Sequence, residues 1–142
     1  MLFHHDVAIP AVPQLWITDG TATGTQPVAP NPPSAVHGSA VALGANVLFV
    51  GSDAGHGREL WITDGTAAGT RLVADLNLGP ASSDLWPVGG LASGRALVQV
   101  RDLGRRGLWA TDGSAAGTQQ ISTVLPWGGG GVEQHGALLF RA

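Results

Sequence analysis

The chain has 142 residues (14.4 kDa) and a net charge of −3, from 7 Lys+Arg against 10 Asp+Glu; this is one domain's worth of sequence without the basic face that nucleic-acid binding requires. It contains no cysteine, which excludes a disulfide framework, a thiol nucleophile and a thiolate metal site. With 22 Gly and 9 Pro it is too heavily punctuated for a bundle of long helices, and no apolar run approaches the roughly 18 residues of a membrane span.

The N-terminus, Met1-Leu2-Phe3-His4-His5-Asp6, has neither the basic start nor the apolar run of a signal peptide. His4 and His5 are neighbours, and neighbours on a strand point to opposite sides, a poor arrangement for chelation. Residues 15–25 read LWITDGTATGT, residues 60–70 read LWITDGTAAGT, and residues 108–118 read LWATDGSAAGT. The motif recurs after 45 and then 48 residues, with eight of its eleven positions identical in all three copies. A short apolar landmark precedes each copy: Met1-Leu2-Phe3, Val47-Leu48-Phe49 and Ala96-Leu97-Val98. Leu138-Leu139-Phe140 repeats the landmark with no Leu-Trp after it. The chain is expected to be one repeat domain with periods at about 1–45, 46–94 and 95–136, and 137–142 as a closing or next strand.

Within the middle period, Val47–Val50 is a β-favouring run, 52–57 carries turn chemistry, and Glu59–Thr63 is a second run ended by Asp64-Gly65. Thr70–Ala74 is a third, and Leu85-Trp86-Pro87-Val88 is a weaker fourth, with a proline that suits a strand start or an edge. Short strands at this spacing predict an all-β chain. Four strands in 45–48 residues is the size of one propeller blade, so the expected fold is a set of β-propeller-type blades of about four antiparallel strands. Propellers close with roughly 4–8 blades. Three periods therefore imply a partial propeller, a ring completed by a second copy of the chain, or a piece of a longer array.

The motif also predicts its own mechanics. Asp19-Gly20, Asp64-Gly65 and Asp112-Gly113 end a strand: Asp accepts bonds from nearby N–H groups, and Gly takes φ > 0. The hydroxyls of Thr21, Thr66 and Ser114 can tie down the loop. Gly24, Gly69 and Gly117 let the chain turn back, and Thr25, Thr70 and Thr118 start the return strand. Leu15 and Trp16, Leu60 and Trp61, and Leu108 and Trp109 must face opposite sides of their strands. Either partner could pack between neighbouring blades.

Glu59-Leu60-Trp61-Ile62-Thr63-Asp64-Gly65-Thr66, its continuation through Gly79, and its approach through Gly55-His56-Gly57-Arg58 resemble the bacterial ELWxxDGT repeat family. Gln14 and Gly107 replace Glu59 in the other copies, and Ser114 replaces Thr. The resemblance implies β-propeller-like repeats in proteins exported to the cell surface or beyond. It implies no reaction.

Three Asp residues in three separate hairpins cannot form one catalytic dyad, so they are expected to stabilise turns. A Ca²⁺ site would need several oxygen ligands close together, with Asp75, Asn77 or Asp53 supplementing Asp64. No Gly-x-Ser-x-Gly elbow is present, and Gly128–Gly131 lacks the Lys-Ser/Thr of a phosphate loop. Trp86 and Trp127, outside the motif, are candidate carbohydrate platforms, and Arg101, Arg105 and Arg106 form the one basic cluster; buried Trp and solvated Arg are the plainer readings. His56 is expected to be structural or exposed. The expected function is a non-enzymatic binding or scaffold module with no cofactor and no metal, contacting protein or glycan and neither nucleic acid nor membrane. The alternatives are a lectin-like binder, a Ca²⁺-stabilised adhesive repeat and a fragment of a propeller hydrolase.

Overall fold

A computed structural model describes residues 15–28, 34–35, 40–102, 104–125, 132–134 and 137–139. These form an all-β structure. In chain order the strands are β1 (Trp16–Ile17), β2 (Gln26–Pro27), β3 (Ser34–Ala35), β4 (Val41–Leu43), β5 (Asn46–Asp53), β6 (Gly57–Thr63), β7 (Arg71–Ala74), β8 (Leu85–Gly90), β9 (Ala96–Val100), β10 (Gly107–Thr111), β11 (Gln119–Ser122), β12 (Val132–Gln134) and β13 (Ala137–Leu139). The pairings are all antiparallel.

Two larger sheets stand between two hairpins. In sheet I, β5, β6 and β7 follow one another, and the short β3 and β4 share the outer edge of β5. Sheet II runs β8-β9-β10-β11 in chain order. β1–β2 and β12–β13 are separate two-stranded sheets. The two larger sheets are built to one plan. Phe49 pairs with Trp61 and Leu48 with Ile62 in sheet I; Val98 pairs with Trp109 and Leu97 with Ala110 in sheet II. Each has a register shift where its Leu-Trp strand meets the last strand, at Leu60/Trp61 and at Leu108/Trp109.

Leu85–Val88 is a strand, as expected, but it does not close the middle period. β8 pairs with β9 across Leu85↔Val100 and Gly90↔Ala96, and therefore opens sheet II. Residues 75–84 form the crossing between the sheets. Pro87 is accommodated at the outer edge of sheet II, beside the shift between Pro87 and Gly89, where a missing N–H costs no ladder bond.

The faces of the sheets decide how they stack. Leu48, Val50, Leu60, Ile62, Val73 and Leu43 of sheet I join Leu85, Ala96, Val98 and Val100 of sheet II in one buried cluster, with Trp109 packed against it. Leucine and the residue two after it therefore face forward, toward the next sheet, and tryptophan faces back. Leu108 and Ala110 repeat the forward role, in a cluster with Val88 and Leu97. Trp61 is 8% exposed and lies on the rear face of sheet I. A Cβ on Gly51 would sit 2.8 Å from its Cδ1, so the indole lies against bare backbone there.

Candidate functional site

The repeated turn is the most regular polar feature of the molecule, and its bonds can be followed atom by atom. Asp64 Oδ1 accepts from Thr66 N (2.8 Å) and Thr66 Oγ1 (2.7 Å), and Thr66 Oγ1 accepts from Gly69 N (3.0 Å). Thr70 Oγ1 donates to Thr66 O (2.7 Å), and Thr63 Oγ1 accepts from Gly65 N (3.0 Å). The Thr63 and Thr70 hydroxyls are 2.7 Å apart. A hydroxyl has one proton. Since Thr70 gives its own to Thr66 O, Thr63 must be the donor to Thr70. Every hydroxyl proton of the turn thus has a fixed destination.

The same network recurs around Asp19, with Thr18, Thr21 and Thr25, and around Asp112, with Thr111, Ser114 and Thr118. Ser114 replaces threonine without loss because only the hydroxyl is used. Gly20, Gly65 and Gly113 have φ of 90°, 90° and 88°, where a side chain would be strained. The second glycine, expected to let the chain turn back, has a further purpose. A Cβ at Gly69 would lie 2.0 Å from Asp64 Oδ1, so its hydrogen leaves room for the carboxylate. Thr18, Thr63 and Thr111 carry a role that sequence reasoning missed, although their identity in all three copies was the available signal.

The hydroxyls of Thr21, Thr66 and Ser114, followed by the N–H groups of the same residues, hold the three carboxylates below the usual aspartate range. Each carboxylate is committed to the residue two places after it in its own hairpin. The structure does not bring the three together as a reactive set. It does stack the turns: a Cβ on Gly65 would meet Ile17 Cδ1 at 2.6 Å, and one on Gly113 would meet Ile62 Cδ1 at 2.7 Å. The first glycine is therefore also a seat for the forward-facing residue of the preceding motif.

The other end of the sheets is more varied. His56 Nδ1 lies 3.0 Å from both carboxylate oxygens of Asp53, and this partner, before the Asp75 and Glu59 charges, raises the His56 pKa. Glu59 is fully buried. Its carboxylate accepts from Leu76 N (2.9 Å), Asn77 N (3.2 Å) and Ser83 Oγ (2.5 Å), fastening the 75–84 crossing to β6. Burial raises its pKa, against the pull of Ser83 and the two backbone donors. Asp75 Oδ2 accepts from Gly79 N, and Asn77 Nδ2 donates to Ser82 O. Asp53, paired with Gly57, and Asp75 and Asn77, beside Glu59, therefore lie toward the Gly57 end of β6, whereas Asp64 follows its Thr63 end, on the order of 15–20 Å away along the strand. They cannot supplement Asp64 as ligands, contrary to the arrangement a shared Ca²⁺ site requires. Among the described residues no three His, Cys, Asp or Glu side chains are grouped to hold a metal ion.

Trp86 is partly buried, and the Arg101 guanidinium lies 5.0 Å from its ring centroid, in a cation–π contact. Trp127 lies outside the described residues, as do His4 and His5. Arg105 and Arg106 act through their backbones: Arg105 O accepts from Trp109 Nε1 (3.0 Å) and Arg106 O from Gln120 Nε2 (2.8 Å). Of the motif residues, Leu60, Trp61 and Leu108 are buried, Leu15 and Trp109 partly so, and Trp16 is 58% exposed. No family model, no curated protein and no solved structure matches the chain.

Proposed function

We propose that the chain is a non-enzymatic module of β-propeller-type repeats that presents a binding or scaffold surface outside the cell. The observation that supports this best is that each motif carboxylate is held by the hydroxyl and N–H of its own turn. A catalytic dyad needs its carboxylates brought together, and each of these is fastened through Oδ1 within a separate hairpin. The stacking of Ile17 on Gly65 and of Ile62 on Gly113 supports a repeating array in which the motif sets the spacing between units. The extracellular placement and the propeller architecture rest on the resemblance to the ELWxxDGT repeats together with the shared plan of sheets I and II.

A second reading, a lectin-like site, is favoured by one observation, the Arg101–Trp86 pair. The guanidinium over the indole offers a cation that a sugar's carboxylate could meet at the edge of the ring. Titrating intrinsic tryptophan fluorescence with a panel of neutral and acidic glycans separates the two. The scaffold reading expects no saturable change. A saturable change that Trp86→Ala abolishes replaces it with the lectin. Thermal melts with and without a chelator address the Ca²⁺-stabilised alternative in the same samples. The scaffold reading expects one midpoint, and a midpoint that falls on chelation contradicts it.

A further inference from the structure

The two small hairpins are complementary halves of one sheet. β1–β2 has the register of the last two strands of the larger sheets: Trp16↔Pro27 and Ile17↔Gln26 match Trp61↔Leu72 and Ile62↔Arg71, and also Trp109↔Gln120 and Ala110↔Gln119. β12–β13 has the register of the first two: Val132↔Leu139, Glu133↔Leu138 and Gln134↔Ala137 match Val41↔Leu48, Ala42↔Val47 and Leu43↔Asn46. Among the described residues, β1 lacks the strand that β5 supplies to β6, and β13 lacks the strand that β6 supplies to β5. Each open edge is the template the other needs, and open edges promote pairing between chains.

We propose that β13 of one copy pairs with β1 of a second copy, in the register Leu139↔Ile17 and Leu138↔Thr18, to complete a four-stranded sheet. The register is that of Leu48↔Ile62 and Val47↔Thr63 in sheet I, and of Leu97↔Ala110 and Ala96↔Thr111 in sheet II. The proposal rests on the propeller-type reading above. Two observations favour a second copy over closure of one chain on itself. Self-closure would give three units turned by about 120° each, outside the roughly 4–8 blades with which propellers close, whereas two chains exchanging hairpins give six. The leading hairpin also carries the marks of an unfilled stacking seat. Among the described residues nothing lies within 4 Å of a Cβ built on Gly20, although Gly65 and Gly113 are each occupied by the preceding motif's isoleucine. In the paired copies Ala110 of one chain takes that seat on the other. Trp16, 58% exposed where Trp61 is 8%, turns its face to the neighbouring sheet. The competing occupant of the β1 edge is the chain's own Met1-Leu2-Phe3, which matches the same landmark. β12–β13 brings a first and a second strand already paired with one another.

The absence of native cysteine makes the test direct. Ile17→Cys and Leu139→Cys are made in separate proteins, and position 17 tolerates a small side chain because Ala110 occupies its equivalent. The two are mixed and oxidised, and the parent's mass is measured by light scattering. We expect twice 14.4 kDa for the parent and a disulfide-linked heterodimer as the main covalent product. A control pair with Cys at Leu78, exposed in the crossing, should link far less. A parent mass of one chain with no heterodimer overturns the proposal, as does an internal disulfide in a monomeric Ile17→Cys/Leu139→Cys double variant. The glycan and chelator measurements read single-chain properties, so either result here leaves the scaffold reading to be judged on its own test.

Discussion

Trp61→Ala is expected to destabilise the chain by about 3–5 kcal/mol, the range for truncating a buried aromatic, measured as ΔG of unfolding in denaturant. The ring is 8% exposed and rests on the backbone at Gly51 and beside Phe49, so neighbours cannot collapse into the cavity without moving β5. Leu78→Ala, by contrast, removes a side chain that is 78% exposed and should stay within roughly 0.5 kcal/mol of the parent. The indole has one liability: its Nε1 is buried with no acceptor among the described residues, whereas Trp109 Nε1 donates to Arg105 O. An unsatisfied buried donor costs on the order of 1–3 kcal/mol. Trp61→Phe relieves that cost while keeping most of the apolar area, and should therefore be much milder than Trp61→Ala. Trp109→Phe strands a carbonyl instead and should cost more than Trp61→Phe. Equal losses for the two Phe variants would contradict this account of the rings.

The second large effect belongs to Glu59. Its carboxylate is surrounded by three donors, two of them on the buried residues Leu76 and Ser83. Glu59→Ala leaves those donors without an acceptor and should cost on the order of 2–4 kcal/mol. Glu59→Gln is the sharper probe. Placing the amide nitrogen at either oxygen position sets a donor against a donor, so an isosteric change should still cost about 1–3 kcal/mol. Because burial raises the Glu59 pKa, the native state holds more protons than the unfolded chain between the ordinary glutamate value and the raised one. Its contribution therefore falls as pH rises through that window. Glu59→Gln should abolish that slope. A Glu59→Gln protein as stable as the parent at neutral pH would show that the three donors find other partners.

The parts of the structure legible in the sequence were those that act locally. Asp64-Gly65-Thr66 and its two counterparts specify a turn because acceptor, φ and hydroxyl lie within three residues, and the turns form at all three places. The existence of the strands was legible from their apolar runs. Their phase was not. The first strands of each unit, Val41–Leu43, Leu85–Gly90 and Val132–Gln134, share almost no residues, so comparison of the repeats gave no reason to place Leu85 with the sheet that follows it. Alternation showed that Leu60 and Trp61 face opposite sides, but not which side meets the next sheet. That is fixed by the stacking of Ile62 on Gly113, a contact across 51 residues. Glu59 was invisible for the same reason, since its partners lie 17 to 24 residues away. In sheet II the equivalent place is Gly107, where a Cβ would press on Ser122 O, so one motif position serves two unrelated packing needs.

The central claim is that the three motif aspartates are three independent turn fasteners, and their titration by carboxyl-carbon NMR tests it directly. Asp19, Asp64 and Asp112 should each titrate in one step below the ordinary aspartate value of about 3.9, because the hydroxyl of Thr21, Thr66 or Ser114 favours the ionised form. Their folded pKa values being depressed, the stability they contribute is present above that value and lost as pH falls through the lowered one. Asp64→Ala should leave the curves of Asp19 and Asp112 unmoved. A carboxylate that titrates at or above the ordinary value, or two that share coupled steps as groups at a common centre do, would contradict the account.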